Sequence, residues 1–144
     1  MRNDKKEEIP LANIERNPLV VLFSVILSGA LAYVTFQLFI AMNPWGFLMM
    51  APAAMICFQT LWLLLNPFAI VFEDKLEIRQ SFFHNKDCYF IDIKSIARNK
   101  KGKIYITYHD DEIERINLLG IKTSHVELLK SEVEKRITPG MQHA

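Results

Sequence analysis

Charged residues are missing from a long central part of this chain. Asp, Glu, Lys, Arg and His are all absent between Asn17 and Phe72, although 23% of the 144 residues carry a charge. A soluble domain spreads charged side chains over its whole surface, because they are rarely buried without a partner. The segregation therefore argues against a single soluble domain and predicts that the chain lies in two solvents, a membrane and water.

Cysteine, glycine and recognisable catalytic patterns are also scarce. The two cysteines are Cys57, inside the uncharged part, and Cys88, outside it, so no disulfide is expected. The five glycines form no phosphate-binding loop, and no paired-cysteine motif or nucleophile elbow is present. The histidines are not spaced as metal ligands; they are His84, His109, His125 and His143. We therefore expect no enzymatic activity, metal or cofactor, with Cys88 as a small core residue.

The uncharged part is long enough for two membrane crossings. One crossing needs roughly 20 apolar residues, and the run far exceeds that length. Its middle, residues 43–46, combines turn-forming Asn, Pro and Gly with a Trp, which prefers the headgroup region. We predict a transmembrane helical hairpin over residues 18–66, with helices at about 18–42 and 45–65.

A soluble helical core and a cleaved signal peptide both fit the apolar segments less well than a membrane hairpin does. Core helices of a soluble protein would each need a polar face, which these segments lack. A cleaved signal peptide has a positively charged start and an apolar core of roughly 7–15 residues. Here acidic and basic residues are mixed ahead of the first apolar segment, and that segment is longer.

Lys and Arg residues indicate the orientation of the hairpin. They precede the first helix and follow the second, whereas the turn between the helices has no charge. They are Arg2, Lys5, Lys6 and Arg16 on one side, and Lys75, Arg79 and Lys86 on the other. By the positive-inside rule, the N-terminal segment 1–17 and the C-terminal part are both cytoplasmic.

From residue 67 onward the pattern changes to the alternation that is typical of strands. Polar turns separate the runs: residues 99–102 include a glycine, and residues 109–112 are better explained as a solvated turn than as a metal site. The predicted strands are 68–72, 75–79, 87–91 with an inward-facing continuation over 92–96, 103–108 and 112–118. This order is that of an antiparallel β-meander.

The chain then returns to helical spacing. Ser124 and Glu127 have the spacing of a capping box, and Pro139-Gly140 would end the helix. One face carries an apolar stripe that we expect to cover the sheet; it consists of Val126, Leu129, Val133 and Ile137. The sequence thus predicts a small α+β domain over residues 67–138 and a tail over 139–144.

A membrane hairpin followed by a strand meander and a closing helix resembles the bacterial two-span membrane proteins with a cytoplasmic PH-like domain. The resemblance is carried by residues 68–78 (FAIVFEDKLEI), residues 90–96 (FIDIKSI) and Ile9-Pro10-Leu11 before the first helix. It implies a PH-like fold, a location in the bacterial inner membrane, and a binding or assembly module rather than a catalyst.

The hairpin offers packing residues rather than a transport path. Transporters place ionisable residues within the bilayer, and this hairpin has none. Gln37 and Gln59 are interpreted as polar contacts to neighbouring helices. Small residues, which permit close helix approach, lie at Ser24, Ser28, Gly29 and Ala32. We predict that they pack the hairpin against itself, with another copy or a membrane partner as the alternative.

One basic cluster surrounds a predicted turn, and it consists of Arg98, Lys100, Lys101 and Lys103. A turn that faces the membrane would hold anionic lipid headgroups at roughly 1 kcal/mol per basic residue. A turn that faces away would be an ordinary loop. Nucleic acid is not expected as a partner, since the net charge is only +1.

Three functional hypotheses follow. The first is a non-enzymatic membrane scaffold or accessory subunit, whose PH-like domain contacts another protein or copies of itself. The second is a module that senses anionic lipids through the basic cluster. A small transporter is the least consistent with the sequence, because the hairpin lacks ionisable groups.

Overall fold

The computed structural model describes residues 8–137 of the chain. The described part contains a hairpin of two long helices and a unit of short strands that ends in a third helix. Several predicted features lie outside the described residues; they are Arg2, Lys5, Lys6, the Pro139-Gly140 helix stop, His143 and the 139–144 tail.

The two long helices begin at prolines and are capped by asparagines. Helix α1 spans Pro18–Ile40 and helix α2 spans Pro44–Leu65. The side chains of Asn17 and Asn43 each accept a hydrogen bond from the backbone amide two residues later, at 3.0 Å. Proline fits the first turn because its missing amide would have no partner within the helix. The predicted helix ranges differ from these bounds by at most two residues.

Helices α1 and α2 pack as an antiparallel pair through small and polar residues. Ser28 on α1 and Thr60 on α2 are buried between the helices. The Thr60 hydroxyl donates to the carbonyl of Ser24 at 3.3 Å. Gly46 permits close approach near the turn, since a Cβ there would lie 2.7 Å from the backbone nitrogen of Phe39.

The outer surfaces of both helices are apolar and exposed. Each helix contains an 18-residue apolar window of which only 11% is buried. A core helix of a soluble protein is mostly buried, and a signal sequence supplies a single apolar segment near the N-terminus. In this chain most of each window is exposed, and the two helices pack against each other. Both helices are long and apolar enough to cross a membrane.

Short antiparallel strands form two sheets in the described residues. They are β1 (Ala12–Ile14), β2 (Ala69–Val71), β3 (Lys75–Ser81), β4 (His84–Tyr89), β5 (Ile93–Arg98), β6 (Ile104–Tyr108) and β7 (Ile113–Ile116). The first sheet has the order β1–β2–β3–β4 and the second the order β5–β6–β7. The strands after the hairpin therefore follow the predicted meander within each sheet.

Strand β1 is not predicted by the sequence. It pairs with β2, with Ala12 opposite Val71 and Ile14 opposite Ala69. Ile14 is completely buried. The N-terminal segment, expected only as a cytoplasmic extension, contributes an edge strand, so the helical hairpin is inserted between two paired strands of one sheet.

The sequence predicts a strand over residues 87–91 that continues over 92–96, but the structure interrupts this segment between the two sheets. Strand β4 ends at Tyr89, and residues 90–92 form a turn of 3-10 helix in which Phe90 is buried. Pairing resumes in β5 with a register shift between Ile93 and Ser95, which leaves both Ile93 and Ile96 in the core. Such an irregularity interrupts strict alternation, and a period of two does not predict it.

Helix α3 spans His125–Ile137 and covers the sheets with the predicted apolar stripe. Its buried residues are Val126, Leu129 and Val133, which join the core formed by the inward side chains of both sheets. Glu127, expected to complete a capping box, instead forms an ion pair with Arg98. The described chain is thus a helical hairpin joined to a small α+β unit.

Candidate functional site

The α+β unit is attached to the hairpin where the two long helices have their free ends. We call this place, residues 16–17 and 66–68, the open end of the hairpin. The backbone amide of Asn17 donates to the carbonyl of Gly120 at 2.9 Å. Arg16 forms an isolated antiparallel bridge with Ile121. The segment around Gly120 therefore lies directly beside the start of α1.

The side chain of Arg16 joins three parts of the chain at the open end. Its Nε donates to the carbonyl of Asn66 at 2.9 Å, and a terminal nitrogen donates to the carbonyl of Arg79. The guanidinium carbon lies 5.1 Å from the ring centre of Trp62. Burial, and then the neighbouring charge of Arg79, lowers the pKa of Arg16 to about 10, so the side chain stays charged at neutral pH.

A cavity of about 370 Å³ lies beside the start of α1. Its charged lining consists of Arg98, Lys101, Lys103 and Arg115, and Asn17, which caps α1, belongs to the same lining. Among the described residues, no Asp or Glu lines it. We call this cavity the basic pocket.

The turn between β5 and β6 has a defined shape that does not depend on its charged groups. The side-chain oxygen of Asn99 accepts hydrogen bonds from the amides of Lys101 at 2.9 Å and Lys103 at 3.0 Å. Gly102 has a φ of +77°, a left-handed conformation that glycine adopts without a steric penalty. The turn is held by its backbone, which leaves the lysine ammonium groups available for a ligand.

Most of the positive charge in the basic pocket is not neutralised by the protein. Arg98 pairs with Glu127 and donates to the carbonyl of Gly102 at 3.3 Å. Within residues 8–137, none of the other three basic side chains has an acidic partner at ion-pair distance. Cations grouped around one cavity favour an anion with several oxygens, such as a phosphate.

An apolar edge adjoins these charges. Residues Leu118–Gly120 form a turn of 3-10 helix, and the side chain of Leu119 is 74% exposed. The backbone of Gly120 packs closely against the ring of Phe68. A side chain at position 120 would not fit, because its Cβ would lie 2.6 Å from that ring. A basic cavity beside an exposed leucine suits a ligand with an anionic head and an apolar tail.

The predicted basic cluster is only partly brought together. Three of its members line the pocket, whereas Lys100 is exposed and lies outside the lining. Arg115 was missed by sequence reasoning. It lies opposite Tyr105 in the pairing of β6 with β7, and this register brings it beside the β5–β6 turn. No pattern within β7 alone signals that position.

The predicted stripe of small residues is divided between two surfaces. Ser24 and Ser28 face α2, the first through the hydrogen bond from Thr60 and the second by burial. Gly29 and Ala32 are exposed on the outer surface of α1. Packing within the hairpin therefore involves half of the stripe.

A second group of polar side chains joins the two sheets, and its members form hydrogen bonds and an ion pair with one another. The Tyr108 hydroxyl donates to Glu114 at 2.8 Å, and Lys86 on β4 pairs with the same carboxylate at 2.6 Å. Burial raises the pKa of the Cys88 thiol, which favours the unreactive protonated form. Cys57 and Cys88 are both free, as expected. No group of three or more His, Cys, Asp or Glu side chains in the described part of the chain is placed to hold a metal ion.

Comparison with known protein families, curated proteins and solved structures found no match to this chain.

Proposed function

We propose that this chain is a non-enzymatic membrane protein with two transmembrane helices, whose PH-like domain binds anionic lipid headgroups at the cytoplasmic surface of the bacterial inner membrane. The observation that carries the proposal is the position of the basic pocket, which includes the cap residue of α1 in its lining. Of the roles predicted from the sequence, lipid binding is the one that this geometry favours.

The length and surface of the hairpin support a transmembrane location. At 1.5 Å per residue, helices of 23 and 22 residues are about 33–35 Å long, and the hydrocarbon core of a bilayer is about 30 Å thick. Their outer surfaces are apolar, and neither helix contains a charged residue. The positive-inside rule then places the open end on the cytoplasmic side.

The order of elements supports the PH-like fold. Two antiparallel sheets follow one another as a meander, and the C-terminal helix α3 packs against them. In this protein the first strand comes from before the hairpin, so the domain is fixed to both helices at the open end.

The basic pocket lies at the expected level of the headgroups. Helix α1 begins at Pro18, so Asn17 marks the boundary of the apolar layer. The headgroup region extends roughly 5–8 Å beyond that boundary on each side. Basic side chains that share a cavity with Asn17 are therefore within reach of lipid phosphates, and Leu119 extends the site with an apolar contact.

The scaffold role, in which the domain contacts another protein or a second copy, stays a prediction. It would use a surface of the domain other than the basic pocket, or the outer surface of the hairpin. Lipid binding and protein binding need not depend on the same residues, and one experiment distinguishes them.

Native mass spectrometry of the full-length protein in mild detergent tests the proposal. With phosphatidylglycerol and phosphatidylcholine in equal amounts, we expect the protein to retain phosphatidylglycerol selectively. A triple variant with Lys101→Ala, Lys103→Ala and Arg115→Ala should bind it about 100-fold more weakly, from roughly 1 kcal/mol for each of the three cations.

The matched control is Lys100→Ala, which removes a charge from the same turn but outside the pocket. We expect it to retain lipid as the unaltered protein does. The proposal is wrong if both lipids are retained equally, or if the loss scales only with the number of charges removed. A co-purifying protein that is unaffected by the triple variant would favour the scaffold role instead.

A further inference from the structure

The turn between β3 and β4 consists of two phenylalanines. Phe82 and Phe83 connect Ser81 to His84, which are paired across the hairpin. Two-residue hairpin turns favour Asn, Asp and Gly, which adopt the required backbone conformations. Phe83 is 75% exposed and Phe82 is 41% exposed. Turn chemistry does not explain two exposed aromatic side chains, whereas an apolar environment around the turn does.

This aromatic turn lies against the side of α2 rather than beyond its end. The rings of Phe82 and Phe58 pack edge to face, with centroids 4.9 Å apart. Helix α2 ends at Leu65. At 1.5 Å per residue, Phe58 lies about 10 Å along the helix from that end. The turn therefore reaches back along the hairpin, past the level at which the domain is attached.

Gln59 explains how a β-turn can enter an apolar layer. The backbone amide of Phe82 donates to the Gln59 side-chain oxygen at 3.1 Å. A backbone amide in hydrocarbon without an acceptor is strongly unfavourable, and Gln59 supplies that acceptor. The sequence suggests Gln59 as a contact to a neighbouring helix, whereas in the structure it contacts the aromatic turn.

We infer that the aromatic turn inserts into the cytoplasmic half of the bilayer, where Phe82 and Phe83 contact lipid acyl chains. The inference rests on the proposed transmembrane hairpin, because the depth of the turn in the bilayer follows from its position along α2. Phe58 is itself 52% exposed and packs against Phe82, so exposed apolar surface of α2 adjoins the turn. Acyl chains that cover this part of α2 also cover the turn. The domain then has two contacts with lipid, one with headgroups and one with acyl chains.

Spin labelling of the full-length protein in liposomes tests the inference. Cys57→Ala and Cys88→Ala provide the background, and Phe83→Cys carries a nitroxide label. We expect this label to collide with oxygen, which concentrates in hydrocarbon, several-fold more than with a water-soluble nickel complex. A label at Asp110→Cys, on the exposed β6–β7 turn, is the matched control and should show the opposite preference.

A third label, at Leu61→Cys on the outer surface of α2, separates this inference from the proposed membrane span. If the label at position 83 is as accessible to nickel as the label at position 110, while the label at position 61 is protected, the insertion of the aromatic turn is wrong. The transmembrane hairpin would still stand. Nickel access at position 61 contradicts the transmembrane hairpin itself. A position 83 shielded from both reagents is covered by protein, such as a second copy, and this also overturns the lipid contact.

Discussion

Arg16 links the domain to the open end of the hairpin through its side chain. It donates to carbonyl groups of Asn66 and Arg79, which lie in different elements. Arg16→Lys keeps the charge but has a single donor nitrogen, which cannot reach both carbonyls in the same geometry. We expect the free energy of unfolding to fall by about 2–3 kcal/mol, through lost charge-assisted hydrogen bonds and the weakened contact with Trp62. Thermal unfolding in mild detergent measures the change.

Lys122→Ala is the control for that substitution. Lys122 pairs with Glu15 at 2.7 Å on the exposed side of the same region. Exposed ion pairs contribute at most about 1 kcal/mol, so this variant should unfold close to the temperature of the unaltered protein. An unchanged unfolding temperature for Arg16→Lys would show that Arg16 does not hold the open end together.

Among the elements, strand β1 is expected to contribute strongly to the stability of the domain, although it has only three residues. Ile14 is completely buried, and its strand completes the edge of the first sheet. We expect Ile14→Ala to lower the free energy of unfolding by about 2–5 kcal/mol, through lost burial and the cavity it leaves. Denaturant titration of the full-length protein, followed by circular dichroism, checks the value.

The exposed neighbour in the same strand provides the comparison. Asn13→Ala changes a side chain that faces solvent, and its effect on the free energy of unfolding should stay within about 0.5 kcal/mol.

Removal of β1 is the stronger test of the same strand. A fragment that starts at residue 67 should lose at least as much free energy of unfolding, relative to the full chain, as the Ile14→Ala variant loses. Equal stability of fragment and full chain would show that β1 is dispensable.

Local patterns explain which elements were predictable. The two long helices and β3 each carry a signal within one continuous segment, apolar length in one case and alternation in the other. Strand β1 carries none, because three residues are too few for a period and its partner β2 lies beyond the whole hairpin. The bulged start of β5 was unpredictable for a related reason, since its register depends on β6.

The candidate site shows the same limit. The lysines of the β5–β6 turn are close together in sequence, so their cluster was visible. Arg115 and Asn17 reach the basic pocket only through strand register and the attachment of the domain to α1. The position of the turn beside the start of α1 therefore could not be derived from the sequence, because it depends on contacts between distant segments.

At the scale of the whole molecule, the open end of the hairpin and the domain form one polar side. The described charged residues all lie on this side, while the turn between α1 and α2 is uncharged. The α1–α2 turn therefore offers no charge to the positive-inside rule, whereas Arg16, Lys75 and Arg79 flank the open end. The basic pocket and the aromatic turn both lie toward the open end of the hairpin.

This arrangement predicts the accessibility of single cysteines in intact cells. In a Cys57→Ala, Cys88→Ala background, Met42→Cys lies in the α1–α2 turn and Asp110→Cys lies at the tip of the domain. We expect a membrane-impermeant maleimide to label position 42 in intact cells and position 110 only after permeabilisation. The physical reason is the excess of Lys and Arg flanking the open end, which favours retention of that end in the cytoplasm. Labelling of position 110 in intact cells would invert the orientation and place the basic pocket at the outer leaflet.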